Sequence, residues 1–169
     1  NIERVIGSFD KVILFDETNQ EEWEVLIAEQ KPRAIFVDTM CNESNLTVPP
    51  IKSIADYIKK SANDKTYLVI DNSMLAVGYP WKEILKANRG KLEVVGWESL
   101  NKYYQFGLDR VTGGVVWGTG KVGQQLFSAR MHAGTIMSDF VVAMLPTPYK
   151  KIMTAYLSKI EENRKELKR

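Results

Sequence analysis

The sequence predicts a single α/β domain in which helices cover both faces of a mostly parallel sheet, a three-layer αβα arrangement. Short apolar runs recur along the chain, and segments with apolar residues at helical spacing separate them. That alternation at these intervals is the pattern of parallel strands joined by crossover helices. With 169 residues, 44% of them hydrophobic and 26% charged, the chain has material for one sizeable core and too little charge bias for a disordered polymer.

Taken in order, Val12 to Phe15 is an apolar run that reads as a strand. Thr18 or Asn19 then caps a helix whose Trp23, Leu26, Ile27 and Gln30 follow the helical period. Ala34 to Val37 is a second strand, and a polar loop runs from Asp38 to Pro50. Ile51, Ile54, Ala55 and Ile58 mark one face of a helix ending near Lys60. Tyr67 to Ile70 is a strand running into Asp71. Residues 82–90 hold a short helix closed near Gly90, followed by strands at Leu92 to Val95 and, interrupted by glycine, Val111 to Trp117. Val122 to Met131 reads as a helix. Thr147 as N-cap and Pro148 at the first helical position open a long amphipathic helix carrying Ile152, Met153, Tyr156, Leu157 and Ile160.

Composition narrows the function classes. The formal net charge is only +2, and the C-terminal Lys and Arg residues are interleaved with Glu, as on a solvated helix and unlike a nucleic-acid patch. No apolar run approaches the roughly 18 residues of a membrane span, and no basic segment followed by an apolar stretch reads as a signal peptide. The expectation is a cytoplasmic chain with no membrane or nucleic-acid partner. A single cysteine, Cys41, allows no internal disulfide and fits a reducing compartment. With one histidine, His132, the chain lacks the donors of a zinc site, and no metal is expected.

Parallel α/β sheets bind ligands beyond the carboxyl ends of their strands. Three polar groups fall there: Asp38 to Asn42, Asp71-Asn72, and Trp97 to Lys102. In sequence, Asp71-Asn72 ends an apolar strand and the next strand leads to Ser99-Leu100-Asn101-Lys102-Tyr103. Asp109 follows seven residues after the lysine and Gly113 eleven after it. This order resembles the central segment of the fold-type-I pyridoxal-phosphate (PLP) enzymes, in the cystathionine synthase/lyase-like branch of cysteine and methionine metabolism.

The resemblance implies a role for each residue. Lys102 would carry the cofactor aldehyde as a Schiff base, and Asp71 would pair with the pyridine nitrogen. Ser99 would direct its hydroxyl at the phosphate, and Asn42 would reach the ring hydroxyl. The implied cofactor is pyridoxal 5'-phosphate, the implied substrate a sulfur-containing amino acid, and the implied reaction β- or γ-elimination or replacement at a C–S bond. A PLP-dependent aminotransferase would use the same Asp71 and Lys102. The implied fold is a truncated PLP-transferase large domain. Residues 1–145 would form its central part and residues 146–169 a connector helix toward a missing small domain. The intact protein would be a homodimeric enzyme, and this segment alone would be inactive. Around Asp38 to Asn42 the family's Glu and Pro are replaced, and Asn101 stands where the family often has Thr.

Two other patterns compete. Gly118-Thr119-Gly120-Lys121-Val122-Gly123 fits the dinucleotide fingerprint between a strand and a helix, with Asp139 further on, and suggests a non-catalytic nucleotide-binding or interaction module. Against it, too little chain follows to build the strands of a nucleotide-binding half. Ser99-x-x-Lys102 also matches the serine acyl-enzyme motif. There Ser61-Ala62-Asn63 precedes instead of following, and Lys-Thr-Gly is absent.

Overall fold

The computed structural model describes residues 11–41, 46–62, 64–87, 90–145 and 149–167. In chain order they form α1 (Gln20–Gln30), β1 (Ala34–Asp38), α2 (Ile51–Ser61), β2 (Thr66–Asp71), α3 (Trp81–Ala87) and β3 (Leu92–Ser99). β4 (Gly114–Gly118), α4 (Gly120–Ala133), α5 (Asp139–Ala143) and α6 (Tyr149–Leu167) follow. Single 3-10 turns occupy Ala76–Gly78 and Tyr103–Gln105. The strands make one four-stranded sheet in the order β1-β2-β3-β4. β1, β2 and β3 are parallel, and β4 runs antiparallel to β3. The chain is thus a mixed α/β domain.

Local chemistry explains the elements. Asn19 caps α1 by accepting a hydrogen bond from the Glu22 amide at 3.3 Å, and Glu21 and Glu22 place negative charge at the positive end of the helix. Lys31 ends it in the left-handed region at φ 45°, just before Pro32. In α2 the i, i+3, i+4, i+7 set of Ile51, Ile54, Ala55 and Ile58 is buried. Alternate residues of β2 and β3 meet it: Leu68, Ile70, Leu92 and Val94 join Trp23, Ile27 and Ile84 in one core. Ile54, Ile58, Leu68, Ile70 and Val94 are completely enclosed, each such side chain contributing roughly 1.5–3 kcal/mol of transfer free energy.

The second face of the sheet is covered differently from the expected three layers. Phe36, Tyr67, Val69 and Trp97, on alternate positions of β1 to β3, keep part of their surface exposed. α4 packs on this face beside β4. A Cβ on Gly118, the register partner of Val95, would meet Val122 at 2.9 Å and Leu126 at 3.0 Å. The strands read as apolar throughout because their second face carries large apolar side chains, which here stay partly exposed.

Three further expectations are corrected. Residues 11–15 form no strand; Leu14 is 90% exposed, and Phe15 packs against the core from irregular backbone. An apolar run becomes a strand only where a neighbour offers a ladder. β3 continues four residues past Val95, and the last predicted strand pairs only from Gly114. The short α5, capped by Ser138, has no clear apolar period and was not expected. The proposed cap at Thr147 and Pro148 lies outside the described residues. α6 is present, with Met153 fully buried and Tyr156 edge-on to Phe106 at 5.0 Å.

Candidate functional site

The register fixes which polar residues share the carboxyl edge. Asp38 pairs with Asp71 across β1 and β2, and Asp71 with Trp97 across β2 and β3. Side chains alternate along a strand, so Asp38, Asp71, Trp97 and Ser99 lie on the incompletely covered face. Trp97 packs its ring against Phe36, 6.2 Å between centroids, so the carboxylates stand at the rim of an aromatic floor.

Each candidate side chain has a defined local setting. Asp71 Oδ1 accepts a hydrogen bond from the Ser73 amide at 2.8 Å, and Oδ2 accepts none from the described residues. Ser99 Oγ accepts from the Asn101 amide at 3.2 Å, which leaves its hydroxyl proton for another acceptor. Lys102 is exposed, its Nζ lying 3.2 Å from Met74 Sδ, a weak acceptor. Asn42 lies outside the described residues. Partial desolvation raises the proton affinity of the Asp38 carboxyl, the negative charges of Asp71 and Glu17 raise it further, and the Lys102 ammonium opposes them. Glu17 also accepts a hydrogen bond from Cys41.

The loop that carries Lys102 is built by residues with little prominence in the sequence. Ser73 Oγ accepts from the Ser99 amide at 2.9 Å, tying the turn after β2 to the end of β3. Buried Gln105 donates to the Leu100 and Val111 carbonyls and accepts from the Val111 amide at 2.9 Å. Asn101 Oδ1 accepts from the Gly113 amide at 3.0 Å, and the Leu100 amide donates to the Gly113 carbonyl. Asp109 has φ 43° and is exposed, so it turns the loop. Behind the sheet, Asn72 donates to Glu98 at 2.8 Å and to the Ala76 carbonyl at 2.6 Å, while the Tyr104 hydroxyl donates to the other Glu98 oxygen. A signal for Glu98 was present: it shares the alternation of Leu92 and Val94, which puts a charge on the buried side of the strand.

The donor set suits PLP. It offers a primary amine, a carboxylate with one open oxygen and a hydroxyl, all at one sheet edge. The site is open. The small cavity at Gln105, Phe106, Leu108, Arg110 and Met144, and the wider acidic groove between Glu21 and Tyr57, involve none of these residues.

The glycine-rich turn lies elsewhere. β4 is antiparallel, so Gly118 sits opposite Val95, and the N-terminus of α4 faces away from the carboxyl edge of β1 to β3. A Cβ on Gly123 would stand 2.7 Å from the Gly118 carbonyl oxygen, so close helix–strand packing accounts for that glycine. Among the described residues no helix is long and apolar enough to cross a membrane, and no group of three or more His, Cys, Asp or Glu side chains is arranged to hold a metal.

Comparison with known proteins finds one distant similarity. The chain is 28% identical over 141 residues to the bifunctional enzyme flvA of Aspergillus flavus, a match covering 81% of this chain. The chain spans only 17% of that protein's length. No protein-family model matches the chain. No solved structure matches it either.

Proposed function

We propose that this chain is the cofactor-binding segment of a PLP-dependent enzyme of fold type I, with the large-domain fold of that class. Its proposed substrate is a sulfur-containing amino acid, and its proposed reaction makes or breaks a C–S bond by β- or γ-elimination or replacement. The observation that carries the reading is the position of Asp71 at the carboxyl end of β2 and of Lys102 just past that of the adjacent parallel β3. The enzyme name of the partial relative agrees with a catalytic role. The intact protein is proposed to be a cytoplasmic homodimer.

Lys102 would hold the cofactor through its amine, with loss of water, and would hold and move the substrate α-proton at its Nζ. Asp71 would hold the ring nitrogen and favour its protonated form. Ser99 would donate its hydroxyl proton to a phosphate oxygen. When bound, the cofactor supplies an electron sink for the carbanion at the substrate α-carbon. An aminotransferase would draw on the same Asp71 and Lys102, so the C–S assignment rests on the motif order from Asp71 to Gly113. The nucleotide-binding reading loses support, because the Gly118–Gly123 turn follows an antiparallel edge strand and the fingerprint needs a parallel one.

The test is addition of PLP to the whole protein and to Lys102→Ala, followed by visible absorbance and, after borohydride reduction, peptide mapping. The expected result is a visible band and a fixed adduct at Lys102 in the wild type, both lost in the variant. A band of equal strength in the variant, or none in the wild type, overturns the reading.

A further inference from the structure

Glu98 is hydrogen-bonded to both loops that bear the candidate site. Its Oε1 accepts from Asn72 Nδ2 at 2.8 Å, and Asn72 directly follows Asp71. Its Oε2 accepts from the hydroxyl of Tyr104, two residues after Lys102. Glu98 is 8% exposed and Asn72 is fully buried, so these bonds form where water competes little. Strand alternation turns Glu98 toward the helices and Asp71 and Ser99 toward the open face. The sheet therefore separates Glu98 from any ligand resting on Asp71.

A carboxylate is well suited to this place. Both neighbours present donors, Asn72 Nδ2 being oriented by its second bond to the Ala76 carbonyl at 2.6 Å. Ala76 is held at φ 46°, a conformation that a side-chain-bearing residue rarely adopts, so the turn after Asp71 is shaped around this bond. On the other side, Lys102 precedes the 3-10 turn Tyr103–Gln105, and the Tyr104 bond fixes that turn against β3. Removing Glu98 cuts one tie to each loop at once.

We propose that Glu98 is the positioning residue of this site, setting the placement of Lys102 relative to Asp71 by clamping their two loops from behind the sheet. This rests on the PLP reading of Lys102 and Asp71. Glu98→Ala removes both bonds. Glu98→Gln keeps them, because its amide oxygen can face Asn72 while the Tyr104 hydroxyl turns to accept from the amide nitrogen. Loss of such supporting contacts weakens a site by roughly tenfold or more.

The test measures two things on the whole protein: PLP affinity from the visible band, with its pH midpoint, and amide hydrogen exchange over residues 72–76 and 100–105. The expected result for Glu98→Ala is about tenfold weaker PLP binding with a shifted midpoint, and faster exchange in both segments. Glu98→Gln should stay within about twofold of wild type on both counts. If the wild type binds PLP and Glu98→Ala binds it equally, the proposal is overturned. If the wild type binds no PLP, the functional reading fails and exchange alone decides: unchanged protection in either segment rejects the clamp. Should Glu98→Ala fail to fold, Tyr104→Phe cuts only the bond to the Lys102 loop. It must then loosen residues 100–105 and leave 72–76 protected, and any other pattern counts against the clamp.

Discussion

Asp38 and Asp71 face one another across the β1–β2 register on the open side of the sheet, and the Asp71 charge raises the proton affinity of Asp38 on top of partial desolvation. Glu17 adds to the effect and the Lys102 ammonium opposes it. A carboxyl whose folded-state affinity exceeds the ordinary value of 3.8 contributes stability that is complete below that pH and lost as pH rises through the folded value. Asp38→Asn should therefore gain stability relative to wild type above that window, with the two proteins converging below pH 3.8. Asp71→Asn should lower the Asp38 midpoint. Urea unfolding across pH 3 to 7 checks the first outcome and carboxyl NMR titration the second. An Asp38 midpoint unmoved by Asp71→Asn would sink the coupling.

Gln105 stabilises the Lys102 loop through backbone groups alone. It is 2% exposed and bonds the Leu100 and Val111 carbonyls and the Val111 amide. Gln105→Leu leaves these three groups without a partner in a place that water reaches poorly. Each buried unpaired group costs about 1–3 kcal/mol, and local rearrangement recovers some of that, so a net loss of about 3 kcal/mol is expected. Urea denaturation measures it. Limited proteolysis should also show earlier cutting between residues 100 and 111, and an unchanged cleavage pattern would assign the bonds no role in loop order.

Legibility in the sequence followed the strength of each periodic signal. α2 was plain because Ile51, Ile54, Ala55 and Ile58 keep one helical face, and β2 was plain because it ends at Asp71 before Asn72 and the turn at Ser73. Val12 to Phe15 misled because hydrophobicity reports burial or stickiness but not a partner for the ladder. The direction of β4 was invisible: Val115 and Val116 are both apolar, and nothing in them says which way the strand runs. That Asp71, Ser99 and Lys102 share one sheet edge followed from the order of the parallel strands. Gln105 and Ser73 could not be picked out, because their function is to hold backbone groups that become neighbours only once the loop has closed. The glycines at 118 and 123 suggested a ligand, whereas tight packing between β4 and α4 already requires them to be small.

Gly96 and Trp117 are register partners across β3 and β4, and the indole lies over the glycine. A Cβ on Gly96 would stand 2.3 Å from Trp117 Cζ2, so the ring must move. It is not free to do so, since it meets the Trp81 ring edge-on at 4.4 Å, and Trp81 in turn meets Tyr79 at 4.6 Å. Gly96→Ala should therefore cost about 1–3 kcal/mol, in the range of overpacked cores, and should perturb tryptophan fluorescence as the pair separates. Trp117→Leu in the same background removes the obstacle, and there Gly96→Ala should be close to neutral, since alanine suits a strand no worse than glycine. The four proteins form a double-mutant cycle with an expected coupling of about 1–2 kcal/mol. Additive costs in denaturant unfolding would show that the tryptophan can leave Gly96 freely, and that the aromatic stack does not hold the edge strand in place.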